Sequence, residues 1–237
     1  MTADAATIIS DNLCRVQDRI AAAVARSGRS PEEVRLVGVT KYVDAAATAA
    51  LFEAGCIDLG ESRPQQLWQK AASPQLRDLP IRWHQIGHLQ RNKVAKTVSV
   101  ALLIHTADSD RLLRAINDAV ENDANSAGPA DVLLEINTSG DAEKHGLTAE
   151  VAHELMPRLP EFPNCRVLGL MTMAAREGGP TVARQNFAAL RELRDQLRSE
   201  AAPLNELSMG MSGDFEEAIA EGSTVVRVGS ALWERLR

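Results

Sequence analysis

Aromatic residues are scarce in this sequence, at 3% of 237 residues, and Tyr42 is the one tyrosine. That scarcity limits acid–base chemistry largely to lysine, histidine and carboxylates. Cysteine is equally thin: Cys14, Cys56 and Cys165 are odd in number, widely spaced and without a CxxC pair, so they support neither a disulfide framework nor a zinc site. No excess of positive charge exists, because the net charge is −6 and no block of like charge stands out. Nucleic acid and anionic membrane surfaces are thereby excluded as main partners. No apolar run is long enough to span a bilayer, and the opening MTADAATIISDNL lacks a basic region followed by an apolar core. A cytoplasmic protein is expected. The nearest approach to a metal pair is His84 with His88, but Gly87 and the strand-like WHQIG around them argue against a shared helical face, so no metal is expected.

What is present is ordinary for a globular protein, 45% hydrophobic and 24% charged. The length suits two small domains or one α/β barrel, and the order of elements decides between them. Ile9, Leu13, Val16, Ile20 and Val24 form one stripe of an amphipathic helix over 5–26. Ser30, Pro31 and Glu33 then make a capping pattern for a short turn. Apolar, β-rich runs follow at 34–41, 57–61, 81–87, 101–108, 131–137, 165–174, 206–211 and 224–230. Helical patterns at 44–54, 64–72, 89–98, 110–123, 148–158, 181–199 and 214–220 separate them, the long one at 181–199 turning Phe187, Leu190, Leu193 and Leu197 inward. Strict alternation predicts a parallel sheet, and eight units in this length predict one closed (β/α)8 TIM barrel with an additional N-terminal helix. An open doubly wound sheet lacks support, since no strand is followed by GxGxxG. No composition break marks a second domain, so residues 1–237 are expected to form a single one.

Chemistry in such a barrel belongs at the C-terminal ends of the strands, with phosphate on the loops after strands seven and eight. VRLVGVTK at 34–41 ends there on Lys41. A lysine at the mouth of a buried strand is partly desolvated, which favours the neutral, nucleophilic amine, though taken alone Lys41 reads first as a strand-end lysine reaching for water. SMGMSGD at 208–214 and RVGS at 227–230 lie at the phosphate position. Ser212, Gly213 and Asp214 open a helix, and Gly229 with Ser230 adds a second turn bearing a hydroxyl. Individually Ser212 is as readily an N-cap and Gly229 a tight-turn residue. Together they form an anion cup beside Lys41. An imine-forming lysine next to a phosphate cup calls for a phosphorylated aldehyde, which pyridoxal 5′-phosphate is, and Arg227 would then approach the pyridine nitrogen and keep it unprotonated.

GVTK at 38–41, LGES at 59–62, WHQIGHLQRNK at 83–93, GLMTMA at 169–174, LSMGMSGDFEEAI at 207–219 and VRVGSALW at 226–233 resemble the YggS/PROSC family of pyridoxal phosphate homeostasis proteins over nearly the whole chain. The resemblance implies a barrel akin to the N-terminal domain of alanine racemase. It also implies Lys41 as the Schiff-base lysine, Ser212, Gly229 and Ser230 as phosphate contacts and Arg227 near the ring nitrogen. Ser62 stands where the family usually has asparagine, which leaves a cofactor contact from that position open. His84, Asn92 and Lys93 lie in a family signature without a role derivable from sequence, whereas Trp83 and Leu89 beside them read as core.

The expected function is therefore a pyridoxal phosphate binding protein of vitamin B6 homeostasis, acting as a monomer without amino-acid turnover and passing cofactor to apo-enzymes. Racemisation in related barrels needs a second acid–base group on the opposite face, and Tyr42, adjacent to Lys41, is poorly placed for it. An amino-acid racemase or other pyridoxal phosphate enzyme is the alternative, with His84, His145 and Cys165 as candidate second bases. A cofactor-free Schiff-base aldolase using Lys41 and the same cup is a further one.

Overall fold

The computed structural model describes residues 3–124, 126–141 and 145–236. Lys144, in the loop at 139–147 left without a role in the sequence, lies outside them. The strands are β1 (Arg35–Val39), β2 (Asp58–Glu61), β3 (Arg82–Gln85), β4 (Leu103–Ala107), β5 (Ala130–Glu135), β6 (Cys165–Met171), β7 (Glu206–Ser208) and β8 (Val225–Val228). Each pairs in parallel with the next, and β8 returns to β1 with Val37 opposite Arg227, so the sheet closes into a barrel.

The helices are α1 (Ala3–Arg26), α2 (Ala45–Glu53), α3 (Pro64–Ala71), α4 (Val94–Val98), α5 (Asp110–Glu121), α6 (Ala149–Leu155), α7 (Gly179–Leu197) and α8 (Phe215–Ala220). None is long and apolar enough to cross a membrane. Local chemistry fixes several starts. The side chains of Asp44, Ser109 and Thr148 accept from the amides of Ala47, Leu112 and Val151, satisfying N–H groups that a first helical turn leaves without partners.

The helix expected over 89–98 is shorter than its pattern. Leu89 and Gln90 are extended loop, a 3-10 turn covers Arg91–Lys93, and α4 is five residues long. Leu89 is nonetheless buried, so an apolar position at helical spacing here serves a loop that dips into the core. The helix expected to Arg158 ends at Leu155 and continues as a 3-10 turn over Met156–Glu161, because Pro157 and Pro160 remove amide donors.

Most of the core lies between sheet and helices. Ile9, Leu13, Val16, Ile20 and Val24 of α1 are buried with Leu51, Leu59, Trp83 and Phe215 in one cluster. Each such side chain contributes roughly 1.5–3 kcal/mol on leaving water. Asn12 fastens α1 to the C-terminal turn, its Nδ2 donating to the carbonyls of Leu232 (2.9 Å) and Glu234 (2.8 Å). Phe187, Leu190, Leu193 and Leu197 of α7 are buried in the other large cluster. Inside the barrel a small apolar group of Leu103, Leu133 and Met171 forms, with Leu168 packed against it. Much of the remaining lumen is polar, with His84, His105, Ser208 and Arg227 all buried there.

Candidate functional site

At the C-terminal ends of β1, β2, β3 and β8 opens a cavity of about 450 Å³, within the range of small-molecule sites. Lys41, Ser62, Ser212, Arg227, Gly229 and Ser230 all line it. A larger cavity of about 950 Å³ opens at the other end of the barrel, beside Met156, Phe162, Cys165 and Glu206. Chemistry separates the two: burial pushes the Cys165 thiol up to about 12, which leaves that floor cavity without a reactive nucleophile.

Lys41 is delivered by a clamped backbone. The Trp233 indole donates to the Val39 carbonyl at 2.8 Å. Thr40 is buried, its amide donating to Gly60 O and its hydroxyl to Glu61 Oε1 at 2.7 Å. Lys70 of α3 donates both to the Thr40 carbonyl (2.7 Å) and to Glu61 Oε1 (2.5 Å), forming a buried ion pair behind the strand. Glu61 therefore serves the sheet–helix interface and not the cavity. Beyond this clamp the Lys41 side chain is partly exposed, its Nζ 4.9 Å from the centre of the Tyr42 ring. Tyr42 itself is 84% exposed.

Ser212 ties the two phosphate-position loops together. Its Oγ accepts from the amides of Gly229 (3.1 Å) and Ala231 (3.4 Å). Both amides are thereby spent on Ser212, whose hydroxyl keeps its own proton to donate. Ser230 is exposed at the rim. The helix expected at 214 begins at Phe215 and is only six residues long, and Asp214 instead accepts from the Met211 amide at 2.6 Å. The groups at the expected cup therefore come from loop residues more than from the short helix. Gly229 has φ −123°, so a left-handed turn is not its reason for being glycine; a Cβ there would press on Val39 at 3.3 Å. Across the cavity, a Cβ on Gly87 would fall 2.3 Å from the Ser62 carbonyl oxygen, so the β2 and β3 ends approach this closely only with glycine.

Arg227 spends three of its five N–H donors on the barrel. Nη1 donates to the carbonyl (2.8 Å) and hydroxyl (2.5 Å) of Ser208, and Nη2 to the Thr172 carbonyl (3.0 Å). Burial pulls it down to about 10, with Glu135 and Asp214 opposing, so it remains cationic at neutral pH.

Two candidate second bases are misplaced. His84 is fully buried in the lumen, where its rings of neighbours are His105 and Asp58 (2.9 and 2.8 Å), and Cys165 starts β6 at the far end. His145 does lie on the mouth side, exposed and stacked on His88 at 4.3 Å. His84 and His88 do not converge; instead His88, Asp108 and His145 bring ligand atoms within 4.8 Å of one another, which is where the described residues offer a grouping able to hold a metal ion. That grouping is invisible in sequence because its members come from three separate loops. Glu135 was also missed. Buried at the end of β5, it is raised to about 7 by burial and by the Asp108 charge, with Arg227 opposing.

The family model for the alanine racemase N-terminal domain matches residues 12–235. A pyridoxal phosphate homeostasis protein from Aquifex aeolicus is 40% identical over 225 residues, covering 94% of this chain and 96% of the relative. The chain belongs to the pyridoxal phosphate homeostasis protein family. The human member is 34% identical, over 92% of this chain and 83% of its own length. Among solved structures, PipY of Synechococcus elongatus with pyridoxal phosphate bound superposes with TM-score 0.79 at 32% identity, covering 92% of this chain and 99% of that one. Alanine racemase from Corynebacterium glutamicum is 14% identical with TM-score 0.71, a likeness of fold alone.

Proposed function

We propose that this family member binds pyridoxal 5′-phosphate in the mouth cavity and holds it reversibly for vitamin B6 homeostasis, without amino-acid turnover. One observation carries the reading: an amine, a guanidinium and a two-loop anion cup line a single cavity at the C-terminal end of the barrel. The residues fit the cofactor. Lys41 presents an amine from a fixed backbone, Ser212 with Ser230 and the Gly229 turn faces the phosphate, and Arg227 brings donors toward the ring nitrogen. Ser62 closes the side opposite the cup, its position set by Gly87. When bound, the cofactor supplies an aldehyde that an amine captures covalently and reversibly.

Retention without turnover is supported by what the cavity lacks. Neither His84 nor Cys165 reaches it, and Tyr42, which does line its edge, is 84% exposed and adjacent to Lys41 in the chain, on the same side of the cavity. Curated relatives are named as homeostasis proteins, not as racemases. A partly exposed Lys41 would leave the captured carbon within reach of an incoming amine that displaces the lysine, which suits a monomer that releases cofactor to apo-enzymes. One observation favours the enzyme reading instead: Glu135, raised to about 7, is poised for proton transfer near neutral pH. It is absent from the cavity lining, which supports the carrier reading over this one.

The test is borohydride reduction of the protein loaded with pyridoxal 5′-phosphate, then peptide mapping and an amino-acid turnover assay. The expected result is a reduced adduct on the Lys41 peptide, no turnover, and loss of the adduct in Lys41→Ala with an unchanged melting temperature. Turnover that Glu135→Gln abolishes would establish the enzyme reading, and failure to take up cofactor would sink both.

A further inference from the structure

The lumen holds a continuous line of polar side chains that the mouth chemistry does not use. From the barrel floor upward, Arg82 grips Asp58 with two bonds (2.8 and 2.7 Å). Asp58 Oδ1 meets His84 Nε2 at 2.8 Å, His84 Nδ1 meets His105 Nε2 at 2.9 Å, and His105 Nδ1 meets Ser208 Oγ at 2.8 Å. Ser208 Oγ in turn lies 2.5 Å from Arg227 Nη1. The line crosses β2, β3, β4, β7 and β8, and both imidazoles and the serine are fully buried.

The two ends fix its direction. A guanidinium only donates and a carboxylate only accepts. Burial would raise the Asp58 carboxyl, but the His84 and Arg82 bonds outweigh it and keep it below the usual range. Burial lowers both histidines, His105 well below its ordinary value; at His84 the Asp58 bond and charge oppose it without overcoming it, while Arg35 and Arg82 add to it, as His84, Arg227 and Arg35 do at His105. Each ring is therefore neutral, with one donor and one acceptor. Asp58 must receive the His84 Nε2 proton, which leaves His84 Nδ1 to accept from His105 Nε2. His105 Nδ1 must then accept the Ser208 hydroxyl proton, and the lone pairs of Ser208 face Arg227. No other arrangement satisfies every member while Asp58 is ionised.

We propose that Asp58, His84, His105 and Ser208 form a one-way hydrogen-bond chain that holds the Arg227 guanidinium toward the mouth cavity, making the two histidines positioning residues for the cofactor ring. The proposal rests on the cofactor reading above. Its physical content is that Ser208 cannot turn its proton toward Arg227 while His105 takes it. With two Nη1 bonds and one Nη2 bond anchored, Nε–H and one Nη2 proton are left for the cavity that Arg227 lines. Cut the chain anywhere and the hydroxyl is free to rotate, so the guanidinium loses a fixed acceptor.

Two measurements test this. In cofactor-free protein labelled with nitrogen-15 in histidine, both buried rings should appear neutral and protonated on Nε2, and Asp58→Ala should release that preference. Binding is then measured for pyridoxal 5′-phosphate and for its 1-deaza analogue, in which carbon replaces the ring nitrogen. Ser208→Ala and Asp58→Ala should weaken the natural compound about tenfold, the loss of roughly one charge-assisted hydrogen bond, and leave the analogue within about twofold. Asp58→Asn, which keeps an acceptor for His84, should stay near wild type. Equal weakening of both compounds, or a charged or Nδ1-protonated ring, would overturn the proposal. Should Asp58→Ala fail to fold, Ser208→Ala carries the comparison. A wild-type protein that takes up neither compound would overturn the cofactor reading and the positioning role with it, while the ring signals still decide the direction of the chain.

Discussion

The mouth of the barrel divides into two arcs held by different kinds of bond. Along β7, β8 and β1, functional groups are tied to main chain: Ser212 to the amides of Gly229 and Ala231, Arg227 to the carbonyls of Ser208 and Thr172, and the approach to Lys41 to Trp233 and Lys70. Along β3, β4 and β5, Gln85 and Thr106 donate to the main chain beneath the rim, but the groups on the rim itself meet one another. His88 pairs with Asp108 at 3.1 Å, His145 stacks on His88, and both rings are exposed. Backbone-anchored groups keep their geometry through side-chain motion, which is what recognition of a fixed ligand requires. Side-chain pairs at a wet rim rearrange at little cost.

Glu135 sits where the arcs meet, and the largest predicted effect belongs to it. Arg227 of the first arc draws its carboxyl down while burial and Asp108 of the second push it up, to about 7. The native state thus holds a proton that the unfolded chain releases at its ordinary value of 4.5. Stability from this group is complete below about 4.5 and is lost as pH rises through about 7. Glu135→Gln should erase that slope. Relative to wild type the variant gains up to about 3 kcal/mol by pH 8 and little at pH 4.5, read as the difference between denaturant midpoints at each pH. Parallel pH profiles for the two proteins would place Glu135 in water and dissolve the junction.

Much of the architecture is legible in sequence because periodicity is local. Each of the eight β-rich runs coincides with a strand, β5 starting one residue before its run, and the α1 and α7 stripes are the buried faces. The ends of elements are less legible. Leu89 keeps helical spacing but packs from a loop, and Pro157 and Pro160 cut α6 short where an apolar pattern continues. For the site, Lys41, Ser212, Gly229 and Arg227 could be placed together because barrel closure sets β8 beside β1. The lumen chain could not, since His105 and Ser208 are 103 residues apart and neither stands in a motif that names the other. A buried histidine in a strand reads the same whether it serves a reaction or a second histidine. Glu135 was missed for a related reason: its shift comes first from burial and then from the charge of Asp108 at the end of the neighbouring strand, neither of which is set by residues beside it in the chain.

A smaller effect is expected in the first arc. Ser212→Ala removes the acceptor shared by the Gly229 and Ala231 amides, a loss comparable to removing a helix cap at about 1 kcal/mol. For a chain of this size that lowers the melting temperature by roughly 2–4 °C. With saturating pyridoxal 5′-phosphate the deficit should widen, because on the proposed reading the variant also lacks a hydroxyl that would donate to the phosphate. A deficit that vanished on adding the cofactor would mean the amides alone serve the anion and that Ser212 is only a cap.

The smallest effect tests the second arc. His145→Ala removes a ring that is 62% exposed, stacked on His88 and 4.0 Å from Asp108. Exposed pairs of this kind contribute only a few tenths of a kcal/mol, so the melting temperature should move by less than about 1 °C. Cofactor affinity should also hold, because neither His88 nor His145 lines the cavity. A clear loss of affinity would show that the β3–β5 arc closes over the ligand and that the two arcs act as one. Repeating the melt with added zinc ion separates the remaining possibility. Stabilisation of wild type that His145→Ala abolishes would make the three rim groups a metal site, whereas equal curves leave them an ion pair with a stacked ring.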